Sequence, residues 1–170
     1  MQVGADQQRW GMGTRQEDAG EGRSRILMAA IRCYEAQGVA ATTVDDVARE
    51  AQISRRTVYR YFPSQQAIVR AVVDYQAGVF LDELREFTER HTGDFRSLLV
   101  DSLLFAVDRG PQTVGHKLLL QGSNAQNAAQ YYLSDSVTGC WVEILSTRFA
   151  RAQGAGEVSA SICLPDLVEW

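Results

Sequence analysis

Two helix starts and one hard stop, packed between Thr43 and Pro63, constrain this chain more than any other feature of its sequence. In TTVDDVAREAQISRRTVYRYFPSQQ, Thr42 to Gln66, Thr43 and Asp46 have the S/T-x-x-D/E spacing of a capping box. They open a helix of little more than two turns, with Val44, Val47, Ala48 and Ala51 as its inward face. After a break at Gln52-Ile53, Ser54 offers a second N-cap for a helix from about Arg55 to Tyr61, with Val58 and Phe62 facing inward. Pro63 ends it, because proline has no N–H to give and disfavours helical geometry in the residue before it. Neither helix is long enough to be stable alone, so both must lean on a neighbour. The preceding segment supplies one: Arg23 to Gln37 carries Ile26, Ala30, Cys33 and Tyr34 on one stripe, and Gly38 stands where a C-terminal stop belongs.

Beyond Pro63 the helical period continues. Ser64 caps a third start, and Ile68, Val72, Tyr75, Val79, Leu84 and Phe87 suggest one long helix to about Arg90. Further helices are expected over about Phe95 to Asp108, Gln112 to Gln121 after the Gly110-Pro111 break, and Ala125 to Gln153. No strand alternation is persuasive, and the fold class is all-α. Residues 1–22 are Gly, Gln and charge without an apolar period, which reads as a disordered arm. The expected organisation is an arm at 1–22, a three-helix head at 23–70 and a helical domain at 71–170. No apolar run approaches the ~20 residues that span a bilayer, and the N-terminus lacks the apolar middle of a signal peptide, so the expected compartment is the cytoplasm and no membrane partner is expected. Cys33, Cys140 and Cys163 are odd in number, far apart and in no metal-ligand or CxxC spacing, and read as buried or incidental thiols.

Charge separates the head from the rest. Residues 23–70 hold eight arginines against four acids, a net +4, in a chain whose formal net charge is −4. Arg55 and Arg56 fall in the first turn of their helix, where the helix dipole disfavours cations. A polyanion lying against that end would reverse the sign of the argument. Two short helices joined by a tight turn and propped on a third match a helix-turn-helix, whose second helix enters the DNA major groove N-terminus first. Its own first-turn N–H groups then also face phosphate.

The stretch ILMAAIRCYEAQGVAATTVDDVAREAQISRRTVYRYFPSQQAIVRAVV resembles the N-terminal DNA-binding region of the TetR family of bacterial transcriptional regulators. The likeness rests on an Ala-rich helix ending in Gly, then T-T-V-x-x-V-A, then S-x-x-T-V-Y-x-Y-F-P-S, and it extends only loosely over the remaining residues. It implies a repressor that binds a double-stranded, pseudo-palindromic operator as a homodimer and is released by a small-molecule effector held among variable C-terminal helices. It also implies roles. Thr43 is a cap approaching a phosphate; Arg55, Arg56 and Thr57 occupy base-reading and backbone positions; Tyr59 and Tyr61 touch phosphates or bases; Ser64 caps the fourth helix beside the DNA, as Ser54 caps the third. Arg55 and Arg56 are the expected guanine readers, since a guanidinium pairs with O6 and N7 in bidentate fashion. Arg60 either contacts phosphate or faces solvent.

Three features depart from the family pattern. Gln52 stands where Gly is usual and must take a left-handed conformation at a cost of about 1 kcal/mol, or another turn. Gln65 stands where a phosphate-binding Lys is frequent. The chain also stops at Trp170, where CLPDLVEW reads as the opening of a further helix, so the fold is expected to be truncated or to dimerise unusually.

For the effector, Phe80, Phe105, Leu119, Tyr132, Trp141 and Leu145 are the apolar candidates, with His116 as a polar anchor; apolar residues at helical spacing also serve as plain core. No metal-site spacing and no cofactor motif occurs, and no Gly-rich phosphate loop, G-x-S-x-G or H-E-x-x-H points to an enzyme. The reading of a different class is a helical interaction protein without DNA binding of its own, acting through a full-length partner. Activation in place of repression stays open.

Overall fold

A computed structural model describes residues 10–121 and 135–168, with side-chain surroundings described for 20–117 and 137–168. Among the described residues every regular element is helical: α1 (Trp10–Gln37), α2 (Val44–Glu50), α3 (Arg55–Tyr61), α4 (Gln65–Arg90), α5 (Phe95–Arg109), a 3₁₀ turn (Gly110–Gln112), α6 (Val114–Gln121), α7 (Asp135–Gly154) and α8 (Leu164–Val168). The chain divides into two compact units, with the boundary between Val72 and Val73 inside α4. None of the described helices is long and apolar enough to cross a membrane.

The first unit is built around Ile26, Ala30, Val47, Val58, Phe62, Ile68 and Val72, each at most 1 % exposed. Tyr34 is buried with them, and that burial pushes its hydroxyl up to about 12. Side-chain bonds tie the short helices to their supports. Arg32 Nε of α1 lies 2.6 Å from Glu50 Oε1 of α2. The buried Thr42 donates its hydroxyl to the Gly38 carbonyl at 2.7 Å, while its own carbonyl accepts from Gln65 Nε2 at 2.8 Å. Gln65, standing where a phosphate-binding Lys is usual, therefore pins the start of α4 to the approach of α2.

The first helix starts earlier than the period suggested, at Trp10 in place of Arg23. Once a packed nucleus exists, residues such as Arg15, Gln16, Glu17 and Ala19 extend a helix cheaply without needing an apolar stripe. Residues 1–9 lie outside the described residues. The glycine at 22 has a packing reason: a Cβ there would sit 2.6 Å from the Tyr61 hydroxyl, so α1 passes α3 at van der Waals range.

The turn between α2 and α3 explains Gln52. Its N–H bonds the Arg49 carbonyl at 3.1 Å and the Ile53 N–H bonds the Ala48 carbonyl at 3.0 Å, while Gln52 takes φ +56°. This is the Schellman ending, which satisfies two orphan carbonyls at the cost of one left-handed residue. The same pair of bonds closes α7, where the left-handed position is Gly156 at φ +78°. Gln52→Gly is expected to raise the unfolding free energy by about 0.5–1 kcal/mol, the left-handed cost less the extra freedom glycine gives the unfolded chain. Urea denaturation reads it, and a lowered midpoint would mean that the Gln52 side chain makes a contact stronger than the strain it relieves.

In the second unit, α5 and α7 clasp a core of Phe95, Leu98, Leu145, Phe149, Ala152 and Leu164, with the Phe95 and Phe149 rings edge-on at 5.4 Å. Arg148 closes the loop after α4, donating to the His91 carbonyl at 2.7 Å and the Gly93 carbonyl at 2.8 Å. Glu83 and Arg109 pair in bidentate fashion at 2.7 and 2.8 Å between α4 and α5. Hydrogen bonding from Arg109 holds the Glu83 carboxyl below the usual carboxylate range. Of the helix expected over Ala125 to Gln153, the part from Asp135 onward is α7, and residues 125–134 lie outside the described residues. The three cysteines are free; Cys163 is exposed, whereas Cys33 and Cys140 are half-buried.

Candidate nucleic-acid interface and apolar cavity

Both caps read from the sequence form. Thr43 Oγ1 accepts from the Asp46 N–H at 3.2 Å and donates to Asp46 Oδ2 at 2.6 Å, while the Thr43 N–H reaches the same carboxylate at 2.9 Å. These Thr43 bonds, more than the neighbouring Arg49, hold the Asp46 carboxyl below its ordinary 3.8. Because that value is lowered on folding, the cap's contribution is complete above 3.8 and is lost as pH falls through the lower folded value. The Thr43 hydroxyl proton is thus already committed to Asp46. At the second cap, Ser54 Oγ accepts from the Thr57 N–H at 3.1 Å and lies 2.8 Å from Thr57 Oγ1. Only one of those two hydroxyl protons is used in that contact, so the pair keeps a donor to offer. Ser64 accepts from the Ala67 N–H at 3.1 Å as cap of α4.

The two first-turn arginines have different surroundings. Arg55 Nη1 lies 2.8 Å from Asp45 Oδ2 of α2, and Nη2 lies 3.4 Å from the Tyr59 hydroxyl one turn on. Its guanidinium sits 5.5 Å from the Tyr59 ring centre, and the Tyr59 hydroxyl followed by Asp45 raises its already high pKa. Asp45 thus offsets, for Arg55, the repulsion expected at a bare helix end. Arg56 is exposed and makes no hydrogen bond or ion pair among the described residues. Arg60 is one turn further along the same face, with Nη2 3.4 Å from the Tyr61 hydroxyl and its guanidinium 5.1 Å from that ring centre. Tyr59 is 40 % exposed, whereas Tyr61 is half-buried against Gly22.

The outer face of α3 therefore gathers Arg55, Arg56, Tyr59 and Arg60, with the Ser54 and Thr57 hydroxyls at its start. Val58 and Phe62 face inward, and Arg23 of α1 covers the Phe62 ring at 4.4 Å. Asp45, Gly22 and Gln65 join the site without having been singled out as functional. Asp45 alone had a legible signal, as an acid in the turn-facing start of α2; the others depend on packing between distant segments.

The chain matches the family model for bacterial regulatory proteins of the tetR family over residues 26–72. An HTH-type transcriptional regulator of Mycobacterium tuberculosis (strain H37Rv) is 31 % identical over 143 residues, which span 83 % of this chain and 71 % of that protein. The chain belongs to the TetR family. The TetR-family regulator TtgR of Pseudomonas putida is 38 % identical over 58 residues, covering 34 % of this chain and 28 % of its own length. The match to YerO of Bacillus subtilis, 30 % identical over 73 residues, spans 25 % of that regulator. Among solved structures, a TetR-family regulator from Pectobacterium atrosepticum superposes with a TM-score of 0.71 at 18 % identity, over 90 % of this chain and 77 % of that one. That likeness establishes the fold: a TetR-family all-α chain, and a DNA-binding regulator in place of an enzyme.

In the second unit α4, α5, α6, α7 and the 3₁₀ turn surround a cavity of about 420 Å³. Of the candidates read from sequence, Phe80, His116 and Trp141 line it. Phe105 turns the other way, stacked on Phe87 at 5.0 Å and lining a groove with Glu83, Glu86 and Arg90. Leu145 lies in the α5–α7 core at 1 % exposure, away from the cavity lining. Tyr132 and the side chain of Leu119 lie outside the described residues. Among the described residues no cluster of His, Cys and carboxylates has metal-site geometry.

Proposed function

We propose that this TetR-family chain is a repressor, two copies of which set α3 in successive major grooves of a pseudo-palindromic operator, with release by a small molecule held in the α4–α7 cavity. The observation that carries the reading is Arg56, an exposed guanidinium at the start of α3 with no partner among the described residues, beside an arginine already held by Asp45. Arg55 and Arg56 read bases, Arg60 and the Ser54–Thr57 hydroxyls take phosphates, and Ser64 approaches the backbone from the start of α4. Thr43 acts by holding α2 in place, since its proton already belongs to Asp46. Half-sites then lie on one face of the duplex, about one helical turn or a multiple apart. Release needs only that the effector prefer a form whose heads no longer match that spacing.

The test is a titration of the full chain with its own upstream intergenic DNA at two salt concentrations, against a scrambled duplex, with stoichiometry from light scattering. Two chains per site and a steep loss of affinity with salt on that DNA are expected, because neutralising several phosphates releases counterions. Equal binding to the scrambled duplex, or monomers that bind neither, would remove the reading. Tyr59→Phe is expected to weaken operator binding roughly fivefold, the size of one hydrogen bond, and to leave the thermal midpoint unchanged because the hydroxyl is outside the core. An unaltered affinity would place Tyr59 outside the interface.

A further inference from the structure

We infer that the cavity between α4 and α7 accepts an uncharged, predominantly hydrocarbon or aromatic molecule with one hydrogen-bonding group, and rejects anions and cations of the same shape. The inference rests on the proposed effector role of the cavity but concerns the chemistry of what it holds. The wall is apolar: Phe80, Leu81, Ala106, Val137 and Trp141 supply most of it, with Leu103 and Val107 exposed at its mouth. Its volume of about 420 Å³ falls within the usual range for small-molecule sites.

No Asp, Glu, Lys or Arg is among the described lining residues. Asp74, Asp108 and Lys117 stand on the same helices but are exposed, and Arg109 is held by Glu83. The stretch from 118 to 134, LLLQGSNAQNAAQYYLS, contains no charged residue and no histidine, so sequence alone excludes a compensating charge from that segment. An ion entering such a site loses its hydration and meets no opposite charge in return.

The polar groups that do line the cavity are neutral or already engaged. The Thr113 hydroxyl donates to the Gly110 carbonyl at 2.9 Å and accepts from the His116 N–H at 3.1 Å. Gln76 brings a side-chain amide, which both donates and accepts and makes no hydrogen bond among the described residues. One hydroxyl, carbonyl or amine on the ligand is the complement of that amide.

A matched pair of dyes separates charge from shape: N-phenyl-1-naphthylamine, which is neutral with one N–H, and its 8-sulfonate, which is the same skeleton carrying an anion. The full chain is titrated with each, and emission is excited through tryptophan so that Trp141 reports occupancy of the cavity. Saturable binding of the neutral dye at one site per chain is expected, with the sulfonate weaker by roughly tenfold or more. Ala77→Phe and Ala106→Phe, which fill the cavity from opposite walls, should each abolish neutral-dye binding while circular dichroism stays that of the parent. Should both fail to fold, Trp141→Phe should keep binding and lose most of the energy transfer. Equal or tighter binding of the sulfonate overturns the inference, as does no saturable neutral-dye binding, binding that survives both filled variants, or transfer undiminished in Trp141→Phe. Operator release is scored separately. A neutral dye that binds without freeing DNA leaves the ligand class standing and counts against the effector role. A sulfonate that binds more tightly and frees DNA does the reverse.

Discussion

Arg56→Ala is expected to weaken binding to the cognate operator about 5- to 150-fold, equivalent to roughly 1–3 kcal/mol, and to relax preference at the base pair it reads. The size follows from what the free protein does with this side chain. Arg56 is exposed without a partner among the described residues, so truncation breaks nothing in the unbound head and the whole loss appears on DNA. Arg55→Ala should behave differently. Binding must first compete with the 2.8 Å contact to Asp45, so part of the gain from a base contact is offset by losing that pair. Asp45→Asn sharpens the comparison: freeing Arg55 should tighten binding to operator and scrambled duplex alike, because it removes a negative charge from a face that meets phosphate. Affinity measured on the cognate site and on duplexes altered at single positions distinguishes the cases. If Arg56→Ala weakens every duplex equally, Arg56 is a phosphate contact, and a base reader must be sought elsewhere on α3.

What could be read in advance was whatever depends on neighbours in sequence. The Thr43–Asp46 box, the Ser54 cap and the stop at Pro63 each involve groups within one helical turn, and all three form at the expected residues. The left-handed Gln52 was legible for the same reason, since a Schellman ending is specified by position relative to the helix end. Contacts between separate elements were not. The pair Arg55–Asp45 joins residues ten apart across a turn, and the Gln65–Thr42 bond joins residues twenty-three apart. Gly22 looked like part of a structureless arm because its role is to leave room for Tyr61, and no local pattern marks the approach of another helix. In the second unit, periodicity showed that Phe80, Phe105, Trp141 and Leu145 were apolar and helical. It could not show which wall each would meet, because a helix stripe has the same sequence signature whether it faces core or cavity.

Leu145→Ala is expected to destabilise the second unit by about 2–5 kcal/mol, lowering its thermal midpoint by roughly 5–20 °C. The side chain is 1 % exposed among Phe95, Leu98, Phe149 and Leu164, a cluster contributed by α5, α7 and α8. Removing it takes away apolar contact area and leaves a void that two aromatic rings and a leucine can only partly fill. Trp141, one turn earlier on α7, provides the internal control. It is half-buried and lines the cavity, so Trp141→Phe should move the midpoint far less while changing what the cavity holds. Calorimetry of the two variants beside titrations with the neutral naphthylamine, run well below both midpoints, separates the roles. Leu145→Ala should bind the dye with little change wherever it is folded, because its side chain touches the core and not the cavity lining. If it lost dye binding at an unchanged midpoint, Leu145 would belong to the ligand site after all, and the core of α5 and α7 would have to be supported by the aromatic pair Phe95 and Phe149 without it.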